Sequence, residues 1–126
     1  MFEIIEVPGS APLTAPLSHA IRAGDFIYVS GQASTDPSTG QLVSGTLAEE
    51  FRRTVDNLRR VLQAAGADLE HIVKVGAYLK DESLRAEYNR LYAEAFPQPY
   101  PARTTVGNPF QFLLVEIDCV AYVGPR

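Results

Sequence analysis

The sequence predicts an α+β fold in which a single mixed β-sheet is covered on one face by two helices, in the order β-β-β-α-β-α-β-β. Two stretches carry apolar residues at three- and four-residue spacing, and six runs of β-branched and aromatic residues surround them. Three of those runs precede the first helix and two follow the second, so the helices do not alternate with every strand and collect on one side of one sheet.

Phe2 to Val7 reads as the first strand, and the loop PGSAPLTAP that follows carries Pro8, Pro12 and Pro16, which rule out regular pairing. His19 to Ala23 and Phe26 to Ser30 are β-rich runs separated by Gly24-Asp25, the signature of a two-residue hairpin. Thr35 to Gln41 is turn chemistry closed by Gly40. Thr46-Leu-Ala-Glu49 fits a capping box, and Leu47, Phe51, Val55, Leu58, Leu62 and Ala65 then recur at helical spacing until Gly66. The other face of this helix, with Glu49, Arg52, Arg53, Asp56, Arg59 and Arg60, reads as solvated. Ile72 to Leu79 is a strand. Ser83 is placed to cap a second helix with Leu84, Tyr88, Leu91, Tyr92 and Ala95 on one stripe, ending near Pro97. Ala102 to Val106 and Leu113 to Val123 complete the sheet.

In the last strand Val115, Ile117, Cys119, Ala121 and Val123 fall on one side, and Leu114, Glu116, Asp118, Val120 and Tyr122 on the other. Both sides carry apolar residues, as do both sides of Phe26 to Val29. The helix-free face therefore needs protein against it, and a neighbouring copy is the expected source, so a homo-oligomer is predicted. Glu116 lies on that face, where a carboxylate needs a partner or a task.

The chain has 126 residues, 46% hydrophobic, without an apolar run long enough to span a membrane, which fits a single domain over residues 1–126. The N-terminus lacks the basic and apolar regions of a signal peptide, so a cytoplasmic location is expected. One cysteine excludes an intrachain disulfide, and the distant His19 and His71 do not suggest a metal site. Net charge is −4 and there is no basic stripe, which argues against nucleic acid as a partner. With only two lysines in the chain, the arginine set in "YPARTTVG" calls for a reason.

Three stretches, "VSGQASTDPSTGQLVSG", "NLRRVLQAAGADLEHIVKVGAYLKD" and the pair "PART" with "VEID", resemble the RidA/YjgF reactive-intermediate deaminase family over nearly the whole chain. The resemblance implies a chorismate-mutase-like fold and a homotrimer whose uncovered sheet faces form a central β-barrel with a cleft at each subunit boundary. It implies hydrolysis of 2-imino acids, in equilibrium with enamines, to 2-keto acids and ammonia without a cofactor.

By the same resemblance Arg103 in "PAR" is the anchor for the substrate carboxylate, which suits a planar fork with two charge-assisted hydrogen bonds. Glu116 in "VEID" orients the attacking water, with a backbone carbonyl near Thr105 as second water ligand. Gly31 in "SGQ" offers a backbone N–H to the ligand, and Asn89 lies near the cleft. The plainer alternatives are an ion-paired Arg103, Glu116 in an interface ion pair, a turn at Gly31 and a merely polar helix face at Asn89. Cys119 alternates onto the helix-covered face and reads as core.

Some positions depart from the family pattern. Leu17 replaces a tyrosine usual beside the ligand, Glu50 stands where glutamine is common, Thr105 where cysteine is frequent, and the "VGNPFQF" loop is about two residues short. The shortened loop leaves room for a larger substrate such as 2-aminomuconate, and Leu17 with that loop leaves room for a regulatory trimer that binds small acids without turnover; the change at Thr105 is mild, since the carbonyl is the contacting group. The ribonuclease activity attached to the family is disfavoured by the absence of a histidine pair and by the acidic charge.

Overall fold

In the computed structural model, which describes residues 1–107 and 112–125, six strands form one sheet. They are β1 (Glu3–Ile5), β2 (Ala20–Ala23), β3 (Phe26–Ala33), β4 (Ile72–Leu79), β5 (Ala102–Gly107) and β6 (Val115–Tyr122), with helices α1 (Leu47–Ala64) and α2 (Arg85–Ala95). The order across the sheet is β1-β2-β3-β6-β4-β5. Only β4 and β5 run parallel, joined by the crossover through α2. The predicted element order and mixed sheet are observed, while the shortened loop falls partly on residues 108–111, outside the described residues.

Local chemistry accounts for the element ends. Gly24, at φ 60°, supplies the left-handed residue of the two-residue turn that closes β2 on β3. The capping box forms as the spacing requires: Thr46 Oγ1 accepts from Glu49 N at 3.2 Å and Glu49 Oε1 accepts from Thr46 N at 2.9 Å. At the other end of α1, Gly66 adopts φ 82° and Ala67 N–H donates to Leu62 O at 2.9 Å, the Schellman geometry.

The start of the second helical segment differs from expectation. A 3₁₀ turn over Glu82–Leu84 comes first, and Asp81 caps it by accepting from Ser83 N at 2.8 Å. Ser83 is thus the capped residue and not the cap, because an ionised carboxylate two residues earlier is the stronger acceptor for the free N–H groups. Tyr88 and Tyr92 are the buried residues of α2, whereas Ala95, expected on the apolar stripe, is exposed and Phe96 takes its place in the core.

Both helices lie on one face. Ile27, Val29, Val75, Ala77, Val115, Ile117, Cys119 and Ala121 point into the core beneath them. Burial pushes the Cys119 thiol up to about 12, with Asp118 adding to the shift, so it is protonated core and not a nucleophile. The polar side of α1 is less solvated than its charge pattern suggests. Asn57 donates to Ala33 O and Thr35 O, both at 3.0 Å, and Arg59 pairs with Asp68 at 3.0 Å. Glu50 is 2% exposed, accepting from Leu114 N at 2.7 Å and Gly45 N at 3.2 Å, so it ties the approach to β6 onto the first turn of α1.

Among the described residues, the opposite face has no helix. It presents Phe26, Tyr28 and Val106, which are exposed, beside Val120 and Tyr122. The Phe26 and Tyr122 rings lie 5.2 Å apart, forming an apolar surface broken by Glu116, Asp118 and Tyr78.

Candidate functional site

Pairing between β3 and β6 is regular from Phe26↔Tyr122 to Val29↔Cys119, then resumes at Gln32↔Ile117 and Ala33↔Glu116. Three steps on β3 match two on β6, a β-bulge at Ser30 and Gly31. The bulge sets the backbone of Gly31 against the side chain of Glu116: a Cβ there would lie 2.8 Å from Oε1 and 3.0 Å from Cδ. Gly31 therefore owes its identity to close approach by a carboxylate, which replaces the simpler reading of a strand-end turn.

Glu116 is half-buried on the open face. Desolvation raises its carboxyl above the usual range, and the nearby Asp118 charge raises it further. Asp118 itself accepts from the Tyr78 hydroxyl at 3.0 Å. A cavity of about 330 Å³ opens beside Glu116, lined also by Leu17, His19, Ser30, Gly31 and Arg60. Leu17 is half-exposed and adds an apolar side chain to the lining.

Arg103 lies elsewhere. In β5 it is in register with Val75, whose neighbour in β6 is Cys119, so its side chain is on the helix-covered side of the sheet, opposite to Glu116. Its guanidinium sits 4.7 Å from the ring centre of Tyr92 and 5.4 Å from that of Tyr88. Nη2 donates to Asn89 Oδ1 at 2.6 Å. Stacking on two rings and one neutral acceptor hold the fork in place while leaving its charge unneutralised. Among the described residues no carboxylate lies within ion-pair distance of it. Asn89, Arg103, Tyr100 and Pro101 line a second cavity of about 270 Å³.

Thr105 turns its hydroxyl into the interior, where it has no partner among the described residues. Its carbonyl, the expected second water ligand, accepts from Arg85 Nη2 at 3.1 Å. Arg85 is itself held by Glu82 through contacts of 2.9 and 2.6 Å.

One chain thus brings Leu17, Gly31 and Glu116 together, and separately Asn89 and Arg103. It does not bring the two groups into one pocket. Sequence reasoning missed Arg60 and His19 as cavity-lining residues. Arg60 was concealed by a charged helix face that looked solvated, and no signal in the sequence marked His19. Among the described residues, no group of three or more His, Cys, Asp or Glu could hold a metal ion. Among the described residues no helix is long and apolar enough to cross a membrane.

The fold and pockets define a small α+β domain with an open apolar sheet face and a cavity that holds one half-buried carboxylate. Comparison with known proteins is more specific: the Endoribonuclease L-PSP family profile matches residues 9–123. The chain belongs to that family, the YjgF/RidA family. It is 37% identical over 124 residues to a RutC family protein of Pyrococcus horikoshii, covering 97% of this chain and 98% of that one. It is 38% identical over 112 residues to the 2-iminobutanoate/2-iminopropanoate deaminase of Homo sapiens, covering 87% and 82%. Among solved structures it superimposes on RidA from an Antarctic Psychrobacter with a TM-score of 0.87 at 28% identity, covering 96% and 99%.

Proposed function

We propose that the protein is a hydrolytic deaminase of 2-imino acids, acting in a homotrimer at a site shared between copies. The observation that carries this is Glu116: a half-buried carboxylate with a raised pKa, packed on the Gly31 backbone at the wall of a small cavity. Such a group is a stronger base than an ordinary carboxylate and is suited to take a proton from water. Its relatives include proteins named as imine deaminases, which agrees with this chemistry.

The placement of Arg103 supports a shared site. Arg103 and Glu116 lie on opposite sides of one chain's sheet, and β5, which carries Arg103, is a sheet edge. A neighbour packed on the apolar open face supplies the missing half: Arg103 of one copy fixes the substrate carboxylate beside Glu116 of the next. Glu116, with a carbonyl near Thr105, orients a water against the protonated imine carbon. The water oxygen bonds to carbon as Glu116 takes a proton. That proton then passes to the nitrogen, the C–N bond breaks as Glu116 takes the proton of the new hydroxyl, and ammonia leaves with the 2-keto acid, carrying that proton away as ammonium. No redox change occurs. Positioning and one general base are sufficient for a reaction that proceeds unaided in water, since a general base contributes about 10²–10⁴-fold.

The test is complementation between variants. Arg103→Ala and Glu116→Gln should each abolish imine turnover, followed as keto-acid release when an amino-acid oxidase supplies the imine. Co-refolded mixtures of the two should recover activity in about a quarter of the sites, those pairing an intact arginine with an intact glutamate in a cyclic trimer. A mixture as inactive as its parents would overturn the shared site, and wild-type protein without turnover would overturn the deaminase.

A further inference from the structure

The cavity beside Glu116 has a cationic wall. Arg60, on the outer flank of α1, lines it together with Ser10, Thr14 and Leu17. Its Nη1 donates to Pro8 O at 3.1 Å and its Nη2 to Ser10 Oγ at 2.6 Å, both neutral acceptors. Nε is buried with no partner among the described residues. No carboxylate among them lies within ion-pair distance, whereas the adjacent Arg59 is paired with Asp68. A guanidinium with unmet donors at the wall of a cavity is a charge the fold leaves uncompensated. Ser10 strengthens the site: its hydroxyl oxygen accepts from Arg60, which leaves the hydroxyl proton free to donate to an anion.

We infer that Arg60 and Ser10 form a second anion subsite, and that the preferred substrates are 2-imino acids bearing a second carboxylate. The inference rests on the hydrolase reading and adds to it the class of side chain. At about 330 Å³ the cavity lies within the range of sites that enclose whole organic ligands, with more room than a three- or four-carbon acid needs. Glu116 does not favour an anion next to itself, so the distal carboxylate belongs at the Arg60 end. There it accepts from the guanidinium and from Ser10, while the reacting carbon stays beside Glu116. Leu17 lines the same cavity and offers an apolar surface to the intervening methylenes.

The test compares kcat/KM for the imines that oxidases release from aspartate or glutamate with those from alanine or 2-aminobutyrate, in wild type, Arg60→Gln and Arg60→Lys. Binding of 2-oxoglutarate and 2-oxobutanoate is measured by calorimetry alongside. Wild type should favour the dicarboxylic imines, and Arg60→Gln should reduce that preference by about 10- to 100-fold, the range expected for one hydrogen bond to a charged group. Arg60→Lys should retain part of it. Absence of preference in wild type, or a loss in Arg60→Gln that is equal for both classes, would overturn the subsite and leave Arg60 a staple for residues 8–10. If Arg60→Gln does not fold, the wild-type preference and the lysine variant decide. If no imine is turned over but 2-oxoglutarate still binds more tightly through Arg60, the subsite stands and the hydrolase reading fails.

Discussion

Replacing Gly31 with alanine places a methyl carbon 2.8 Å from Glu116 Oε1 and 3.3 Å from its Cγ. Ordinary contact begins near 3.4 Å, so the carboxylate must retreat by about half an ångström. The neighbour that gives way is the end of a flexible side chain on a half-exposed face, so the folding cost should be small, about 1 kcal/mol. Catalysis is less tolerant. If a misplacement of about 1 Å costs roughly 100-fold, half of that should lower kcat by about tenfold. The assay is imine turnover with thermal unfolding on the same preparation. A tenfold or greater loss of kcat with nearly unchanged Tm supports the argument. Wild-type turnover in a folded Gly31→Ala protein would show that the position of Glu116 is not what the reaction depends on.

Arg103→Lys keeps the charge but loses the planar fork stacked on Tyr88 and Tyr92, so most turnover should vanish while circular dichroism shows an intact fold. Glu116→Gln should abolish turnover and leave 2-keto-acid affinity, carried by Arg103, little changed; equal binding with no turnover even in wild type would instead indicate a sensor. Because the folded-state pKa of Glu116 is raised, its ionisation opposes folding: the stability it contributes below 4.5 is lost as pH rises through the raised value. Glu116→Gln should therefore not destabilise the protein at pH 7, whereas a loss of about 3–5 kcal/mol would identify an interface ion pair. Turnover should fall on the acid side as Glu116 protonates, and Asp118→Asn, by removing a neighbouring negative charge, should move that limb to lower pH; an unmoved limb would assign it to another group. Light scattering after size exclusion should give a trimer at micromolar concentration, and a monomer would remove the shared site.

The sequence by itself determined what depends on neighbours along the chain. The capping box at Thr46, the Schellman end at Gly66, the Gly24 turn and the alternation of β6 are set by interactions spanning a few residues, and all four are observed. Where two local acceptors competed, at Asp81 and Ser83, charge decided, and spacing alone does not show that. The family motifs singled out Arg103 and Glu116 as residues, but not where they stand. Only the tertiary structure decided that Gly31 meets Glu116, because one extra residue in β3 shifts the register against β6. It also decided that Arg103 lies on the far side of the sheet, because pairing sets it level with Val75 and Cys119, which face the helices. Arg60 is the plainest case. Along the helix it is one of several charges on a polar face, and it becomes the wall of a cavity only when residues 8–10, some fifty positions earlier in the chain, fold across it. Helical periodicity records which side of a helix is apolar, but the partner that covers its polar side is set by contacts distant in sequence.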